Sequence, residues 1–247
     1  MRIDLSNKVI VITGGAGDLG SAMALQFAQA GACVAINYHR NEKVAKNLLS
    51  RISEFSERCC IVYADVTNND DVYAMYKIVM KKYGRVDVLI NNAGRNNDGY
   101  TTLMSEKQWS SVITTNLTGT FLCSRVFSKA MIRDKRGKII NIASLKGQLG
   151  SEGQANYAAS KAGIIGFSKS LAKELGPEGV SVNVVCPGYI KTNLNSGSIK
   201  KREIAENMSA MSVEYSKKDF ENFMLFLASD MIKGVSGQVY NIDSRIM

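Results

Sequence analysis

Proline is nearly absent: the chain of 247 residues holds 2, beside 21 glycines. That balance argues against a disordered or linker-rich protein. Histidine is scarcer still, with His39 the sole example, far in sequence from the reactive tyrosine discussed below. Acid/base chemistry or zinc binding built on histidine is therefore not expected. The five cysteines (Cys33, Cys59, Cys60, Cys123 and Cys186) lack CxxC spacing. Cys33, Cys60 and Cys186 lie in apolar runs and read as small buried hydrophobes, not as disulfides or metal ligands. No apolar run reaches the ~20 residues that span a bilayer. The N-terminus, Met1-Arg2-Ile3-Asp4-Leu5-Ser6, leads almost directly into a strand pattern, without a signal peptide. These absences point to the cytoplasm, with no metal and no membrane.

Acidic residues are in deficit: 31 lysines and arginines face 22 aspartates and glutamates, a net charge of +9. The basic residues are dispersed, with small clusters at Arg133-Asp134-Lys135-Arg136 and Lys200-Lys201-Arg202. No nucleic-acid-binding motif accompanies them, so nucleic acid is not expected as a partner. An attraction for anions, such as a phosphorylated cofactor or an acidic protein, accounts for the excess more simply.

Apolar residues make up 45% of the chain, enough to fill a core. They form strand-like runs alternating with helix-length amphipathic segments. Strands are predicted at Lys8–Thr13, Cys33–Tyr38, Cys60–Ala64, Val86–Asn91, Lys138–Ile142, Ser181–Cys186 and Gln238–Ile242. Helices are predicted at Leu19–Ala30, Glu42–Ser56, Asn69–Tyr83, Ser105–Arg133, Gln154–Leu175 and Lys217–Ala228. Several strands are apolar without alternation, as expected when both sheet faces are covered. The alternation predicts an α/β fold, a single-domain doubly wound parallel sheet of about seven strands flanked by helices, spanning residues 1–247. The irregular segment 188–216 follows the carboxyl end of a predicted strand and reads as a substrate lid with one or two short helices.

The run Val9-Ile10-Val11-Ile12-Thr13-Gly14-Gly15-Ala16-Gly17-Asp18-Leu19-Gly20 is strand, glycine-rich turn and helix, which makes the sheet Rossmann-type. Glycines such as Gly14 and Gly17 let the backbone approach a pyrophosphate. The helix start at Asp18-Leu19 supplies free N–H groups and positive dipole. A tight turn without a ligand is the competing reading. Asp18 either caps the helix through its side chain or repels a phosphate from the same amides; the expectation is that it caps the helix and still permits binding. After the second strand, Asn37-Tyr38-His39-Arg40-Asn41 holds no acidic residue. A carboxylate there would accept the ribose 2′-OH of NAD, whereas Arg40 suits the 2′-phosphate of NADP, unless it is merely a solvated arginine.

Two tyrosines have a lysine four residues later. Tyr73–Lys77 sits in a charged, ordinary helix; Tyr157–Lys161 sits among small residues, from Gly153-Gln154-Ala155-Asn156 to Ala162-Gly163. Positions four apart share one helix face. An ammonium beside a phenol favours the phenolate, lowering its pKa from an unperturbed value of about 10. A tyrosine so tuned can trade a proton with an alcohol or ketone near neutral pH. The spacing alone does not separate the two pairs.

Together these residues resemble the short-chain dehydrogenase/reductase superfamily over nearly the whole chain. Thr13-Gly14-x-x-x-Asp18-x-Gly20 looks like the family's TGxxxGxG, with aspartate at the middle glycine. Asp65-Val66 look like the acidic position that holds the adenine ring. Asn91-Asn92-Ala93-Gly94 is similar to NNAG, which stabilises the central sheet and lines the cofactor site. Asn116 and Ser144 match the catalytic asparagine and serine, and Tyr157 with Lys161 matches YxxxK. Pro187-Gly188, with Ile190 and Thr192, matches the loop that holds the nicotinamide amide. Within the superfamily, the 3-oxoacyl-[acyl-carrier-protein] reductases are the group most resembled, through 153–170, 182–188, 226–230 and Gly237-Gln238-Val239.

The resemblance implies NADPH-dependent reduction of a ketone, foremost a 3-oxoacyl thioester on an acyl carrier protein. It implies Tyr157 as proton donor and Ser144 as hydrogen-bond donor to the carbonyl oxygen. Lys161 would tune Tyr157 and bind the nicotinamide ribose, and Asn116 would hold a water for proton resupply. Carrier docking is implied at Lys129 and Lys173, with Arg133 and Lys169 one helical turn away; a homotetramer or dimer is implied through the same helices. Lysine for the usual arginine keeps charge but loses bidentate contacts. Two departures stand out. The stretch Met211–Ser216 replaces an arginine–glycine–proline–glutamate run, and Ser244-Arg245 follow Asp243 where two glycines are common. Against the ketoreductase of fatty-acid or polyketide type that the resemblance implies, they count against housekeeping fatty-acid synthesis and fit a specialised ketoreductase of carrier-bound secondary-metabolite intermediates, or a reductase of a free small ketone or sugar. A sugar, polyol or small-ketone dehydrogenase is the alternative, and a non-catalytic nucleotide-binding or sensing protein is the alternative of another class.

Overall fold

The computed structural model describes residues 3–192 and 199–245. Strands and helices alternate: β1 (Val9–Ile12), α1 (Asp18–Gln29), β2 (Cys33–Tyr38), α2 (Glu42–Ser53), β3 (Cys60–Tyr63), α3 (Asn69–Tyr83) and β4 (Val88–Asn91). Then come α4 (Glu106–Ile113), α5 (Gly119–Arg133), β5 (Gly137–Ile142), α6 (Lys146–Leu149), α7 (Ala155–Leu175) and β6 (Val180–Pro187). The order closes with α8 (Ile199–Met208), α9 (Ser216–Ala228) and β7 (Val239–Ile242). All neighbouring strands pair in parallel, in the order β3-β2-β1-β4-β5-β6-β7.

β1 shows why the strands read as unbroken apolar runs. Ile10 and Ile12 pack on one sheet face with Met23 and Phe27 of α1, Leu48 and Ile52 of α2, and Phe220 of α9. Val9 and Val11 pack on the other with Val72 and Met75 of α3, Phe127 of α5 and Leu171 of α7. Helices on both faces leave no side for polar residues, and each such side chain contributes about 1.5–3 kcal/mol by burial. The strand order reverses between β1 and β4, which opens a crevice at the strands' carboxyl ends.

Two expectations change. The helix predicted over Ser105–Arg133 is instead α4, a π-helical turn at Thr114–Thr118, and α5. Hydrophobic periodicity does not register the one-residue insertion of a π turn, and such turns gather at functional sites. Cys60, expected to be buried, is partly exposed because β3 is the sheet edge, while the other four cysteines are buried. Of the expected lid, residues 193–198 lie outside the described residues; α8 follows them, and the chain beyond it bridges Ser209 to Arg245. No described helix is long and apolar enough to cross a membrane.

Candidate active site

At the carboxyl ends of β1, β2, β4, β5 and β6 opens a cavity of about 940 Å³. The β1–α1 turn contributes Gly14, Gly17, Asp18 and Leu19, and the end of β2 contributes His39 and Arg40. Asn92, Ala93 and Gly94 line it from β4, and Ser144, Tyr157 and Lys161 from β5 and α7. Pro187, Gly188, Ile190 and Thr192 line it from β6. Asp65, Val66 and Asn116 do not.

The turn is laced to its neighbours. Gly14 has φ +58°, and a Cβ there would meet Ala93 Cα at 2.9 Å, so the turn lies directly on the exit of β4. Thr13 Oγ1 accepts the N–H groups of Asn92 and Ala93, both at 3.0 Å. Asn92 Nδ2 donates back to the carbonyls of Thr13 and Gly14 at 3.0 and 3.1 Å. Asn37 Oδ1 accepts the Gly14 N–H at 3.0 Å. Helix α1 begins with Gly17 as N-cap and no side-chain cap bond. The expectation that Asp18 caps it is overturned. Asp18 is already the first helical residue, and a cap must come from the residue before, whose side chain reaches the N2 or N3 amide. The first turn begins at the cavity, which Gly17, Asp18 and Leu19 line, and the free N–H groups and positive dipole of a helix start there suit a phosphate-bearing dinucleotide.

At the β2 exit, Arg40 is exposed and carries no acidic neighbour in residues 37–41. His39 Nε2 lies 3.5 Å from Asp65 Oδ2. Asp65 accepts from Thr67 N and Oγ1 at 2.9 and 2.8 Å. Burial pushes its carboxyl up, but the Thr67 donors and the His39 and Arg40 charges outweigh this and hold it below the usual carboxylate range. Val66 is 6% exposed and packs against Gly119.

The end of β5 places two groups at once. The Ile142 carbonyl accepts Lys161 Nζ at 2.7 Å, and Ser144 stands two residues further on. Helix α6 then presses onto α7: a Cβ at Gly147 would lie 2.7 Å from Ala162 N, so only glycine permits the approach. Lys161 is 4% exposed, with Nζ 5.6 Å from the Tyr157 ring centre. Burial pushes the Tyr157 phenol up to about 12, opposed by the neighbouring Ser144 hydroxyl. Burial also lowers Lys161 to about 8. The expected depression of the tyrosine by its lysine is therefore reversed. Leaving water disfavours both charged forms, and the ammonium bonds a backbone carbonyl.

Asn116 lies on the π turn, fully buried. Its Oδ1 accepts the Arg95 N–H at 2.8 Å, and its Nδ2 donates to the Arg95 carbonyl at 3.0 Å and Ser160 Oγ at 2.9 Å. Ser160 Oγ in turn donates to the Tyr157 carbonyl at 2.7 Å. Sequence reasoning missed Ser160, Gly147 and Arg95. Ser160 is three residues after Tyr157 and Arg95 directly follows the NNAG motif, so adjacency to those motifs was the available signal.

The sequence profile described as short chain dehydrogenase matches residues 8–203. The 3-oxoacyl-[acyl-carrier-protein] reductase of Synechocystis sp. is 38% identical, with 98% of each chain covered. The 3-oxoacyl-[acyl-carrier-protein] reductase FabG of Staphylococcus epidermidis is 38% identical over 96% of this chain and 98% of its own. The crystal structure of gox2181 superposes with a TM-score of 0.92 at 30% identity, covering 98% of this chain and 96% of that one. The glycine turn, the laced NNAG segment and these full-length matches together place the chain in the short-chain dehydrogenase/reductase family.

Proposed function

We propose that the chain is an NADPH-dependent ketoreductase whose substrate is a 3-oxoacyl thioester borne by an acyl carrier protein. The observation that carries this reading is the opening of Ser144, Tyr157 and Lys161 into the same cavity as the uncapped start of α1. When bound, the nicotinamide supplies a hydride to the carbonyl carbon. Ser144 Oγ donates a hydrogen bond to the carbonyl oxygen, where negative charge gathers. Tyr157, whose raised pKa keeps it protonated at neutral pH, gives that oxygen its proton. Lys161 stabilises the phenolate left behind. Asn116 is a positioning residue: its amide holds Arg95 and Ser160, and a resupply water would use the remaining lone pair of Oδ1.

Arg40 at the β2 exit supports NADPH over NADH, as a charge-assisted partner for the 2′-phosphate. Lys129 of α5 and Lys169 and Lys173 of α7 are exposed, and an acidic carrier protein would meet them. Arg133 is engaged by Asp134 and the Gly84 carbonyl, so it contributes less. Helices α5 and α7 also present Phe121 and Phe167, in edge contact, to a second copy of the chain in a homotetramer.

The test is NADPH oxidation with an acetoacetyl thioester, beside ketones and polyols with both cofactors. Reduction of the thioester with NADPH is expected. Cofactor binding without turnover of any carbonyl would overturn the catalytic reading, and NAD-dependent polyol oxidation would overturn the substrate and direction.

A further inference from the structure

Beside Tyr157, the cavity wall is more polar than a hydrocarbon chain requires. The segments 94–100, leaving β4, and 151–154, entering α7, line it with Arg95, Asp98, Glu152 and Gln154, joined by Lys146 of α6. Most of these groups are matched within the wall. Gln154 Nε2 donates to Asp98 Oδ1 at 2.7 Å, Lys146 Nζ bonds Gln154 Oε1, and Tyr100 Oη donates to Glu152 at 3.2 Å. Arg95 differs. Among the described residues, its bonds are those of its main chain to Asn116, and no carboxylate meets its guanidinium.

That main-chain clamp places the arginine. Asn116 grips both the N–H and the carbonyl of Arg95 while also holding Ser160, the residue before Lys161. The preceding residue, Gly94, is so near that a Cβ on it would lie 3.7 Å from Lys161 Nζ. Half-buried Arg95 thus lines the cavity from backbone anchored beside Lys161, the neighbour of the proposed proton donor. Its planar fork of donors suits a carboxylate, and burial makes a charge without a partner costly.

Resting on the ketoreductase reading above, we propose that the substrate carries a carboxylate beyond its ketone and that Arg95 binds it. The protein is then a reductase of anionic 3-oxo thioesters, not of plain acyl chains. The reaction keeps its balance. The bound nicotinamide cofactor would supply the hydride to the ketone carbon, its two-electron oxidation balancing the reduction; Tyr157 gives the proton that completes the hydroxyl and regains it from solvent, and the carboxylate is untouched.

The experiment compares kcat/KM for 3-oxoadipyl and 3-oxohexanoyl N-acetylcysteamine thioesters, equal in carbon count and differing in the terminal carboxylate. Wild type, Arg95→Leu and Arg95→Lys are assayed, with NADPH binding titrated by fluorescence for each as the check on folding. In the wild type the carboxylated substrate should be preferred by about 10- to 100-fold. The preference should fall to near unity in Arg95→Leu and persist in part in Arg95→Lys, with NADPH affinity unaltered. Equal wild-type turnover of both thioesters would overturn this inference and leave the ketoreductase reading standing. No turnover of either by NADPH-bound protein would overturn that reading, and this one with it. Weakened NADPH binding with unchanged substrate preference in Arg95→Leu would assign the arginine to the cofactor and equally overturn the proposal.

Discussion

On α3, Lys77 Nζ lies 4.5 Å from the centre of the Tyr73 ring, closer than the 5.6 Å between Lys161 Nζ and the Tyr157 ring on α7. Proximity therefore favours the pair that does not line the site cavity. Tyr73 is 43% exposed and stacks on Tyr76, so water screens its interaction with Lys77. Lys161 is 4% exposed, its ammonium held by the Ile142 carbonyl, and Tyr157 faces a cavity shared with Ser144 and the α1 turn. Spacing brings two groups together; desolvation and convergence on a common space make them a candidate for proton transfer.

The largest break in this comparison should come from Tyr157→Phe. Turnover should fall by about 10³-fold or more with NADPH binding retained, while Tyr73→Phe stays within about twofold of wild type. Near-wild-type kcat for Tyr157→Phe would end the proton-donor assignment. Lys161→Met should cost about 10²-fold in turnover, and Lys77→Met almost none, in the same assay. Asn116→Ala removes both partners of the Arg95 backbone and should destabilise by about 1–3 kcal/mol, lowering Tm by several degrees in thermal melts. The smallest effect is a pH trend. The folded pKa of Lys161, about 8, lies below its ordinary 10.5. Between those values the unfolded chain therefore holds a proton that the native protein lacks, and stability rises with pH across that window. Urea melts should show wild type gaining on Lys161→Met from pH 8 toward 10.5, and no such trend for Lys77→Met.

Legibility followed range along the chain. The β1 turn could be read because its features are adjacent: an apolar run, glycines and a helix start all fall between Val9 and Gly20. The seven strands were legible to within a residue or two at their ends, since two covered faces leave an unbroken apolar signature. The π turn at Thr114–Thr118 was not, because its sequence remains helix-compatible and the partners of its Asn116, Arg95 and Ser160, lie 21 and 44 positions away. Asp18 was misjudged by one position, the difference between a helix cap and a first helical residue. The matched motif order picked out Ser144, Tyr157 and Lys161 together, and the fold brings them to one cavity; their roles stay with the kinetic tests above.

The sequence by itself determined the alternation of strands and helices, the phosphate-ready turn and the family, because each rests on local pattern or on motif order. Only the tertiary structure decided which tyrosine–lysine pair lines the site cavity, in which direction burial moves the phenol and the ammonium, and that Arg95 in the cavity wall meets no carboxylate among the described residues. Those outcomes depend on contacts such as Lys161 to Ile142, 19 positions apart, and Asn116 to Ser160, 44 apart. Desolvation is set by everything that folds around a group, and no short window of residues contains it.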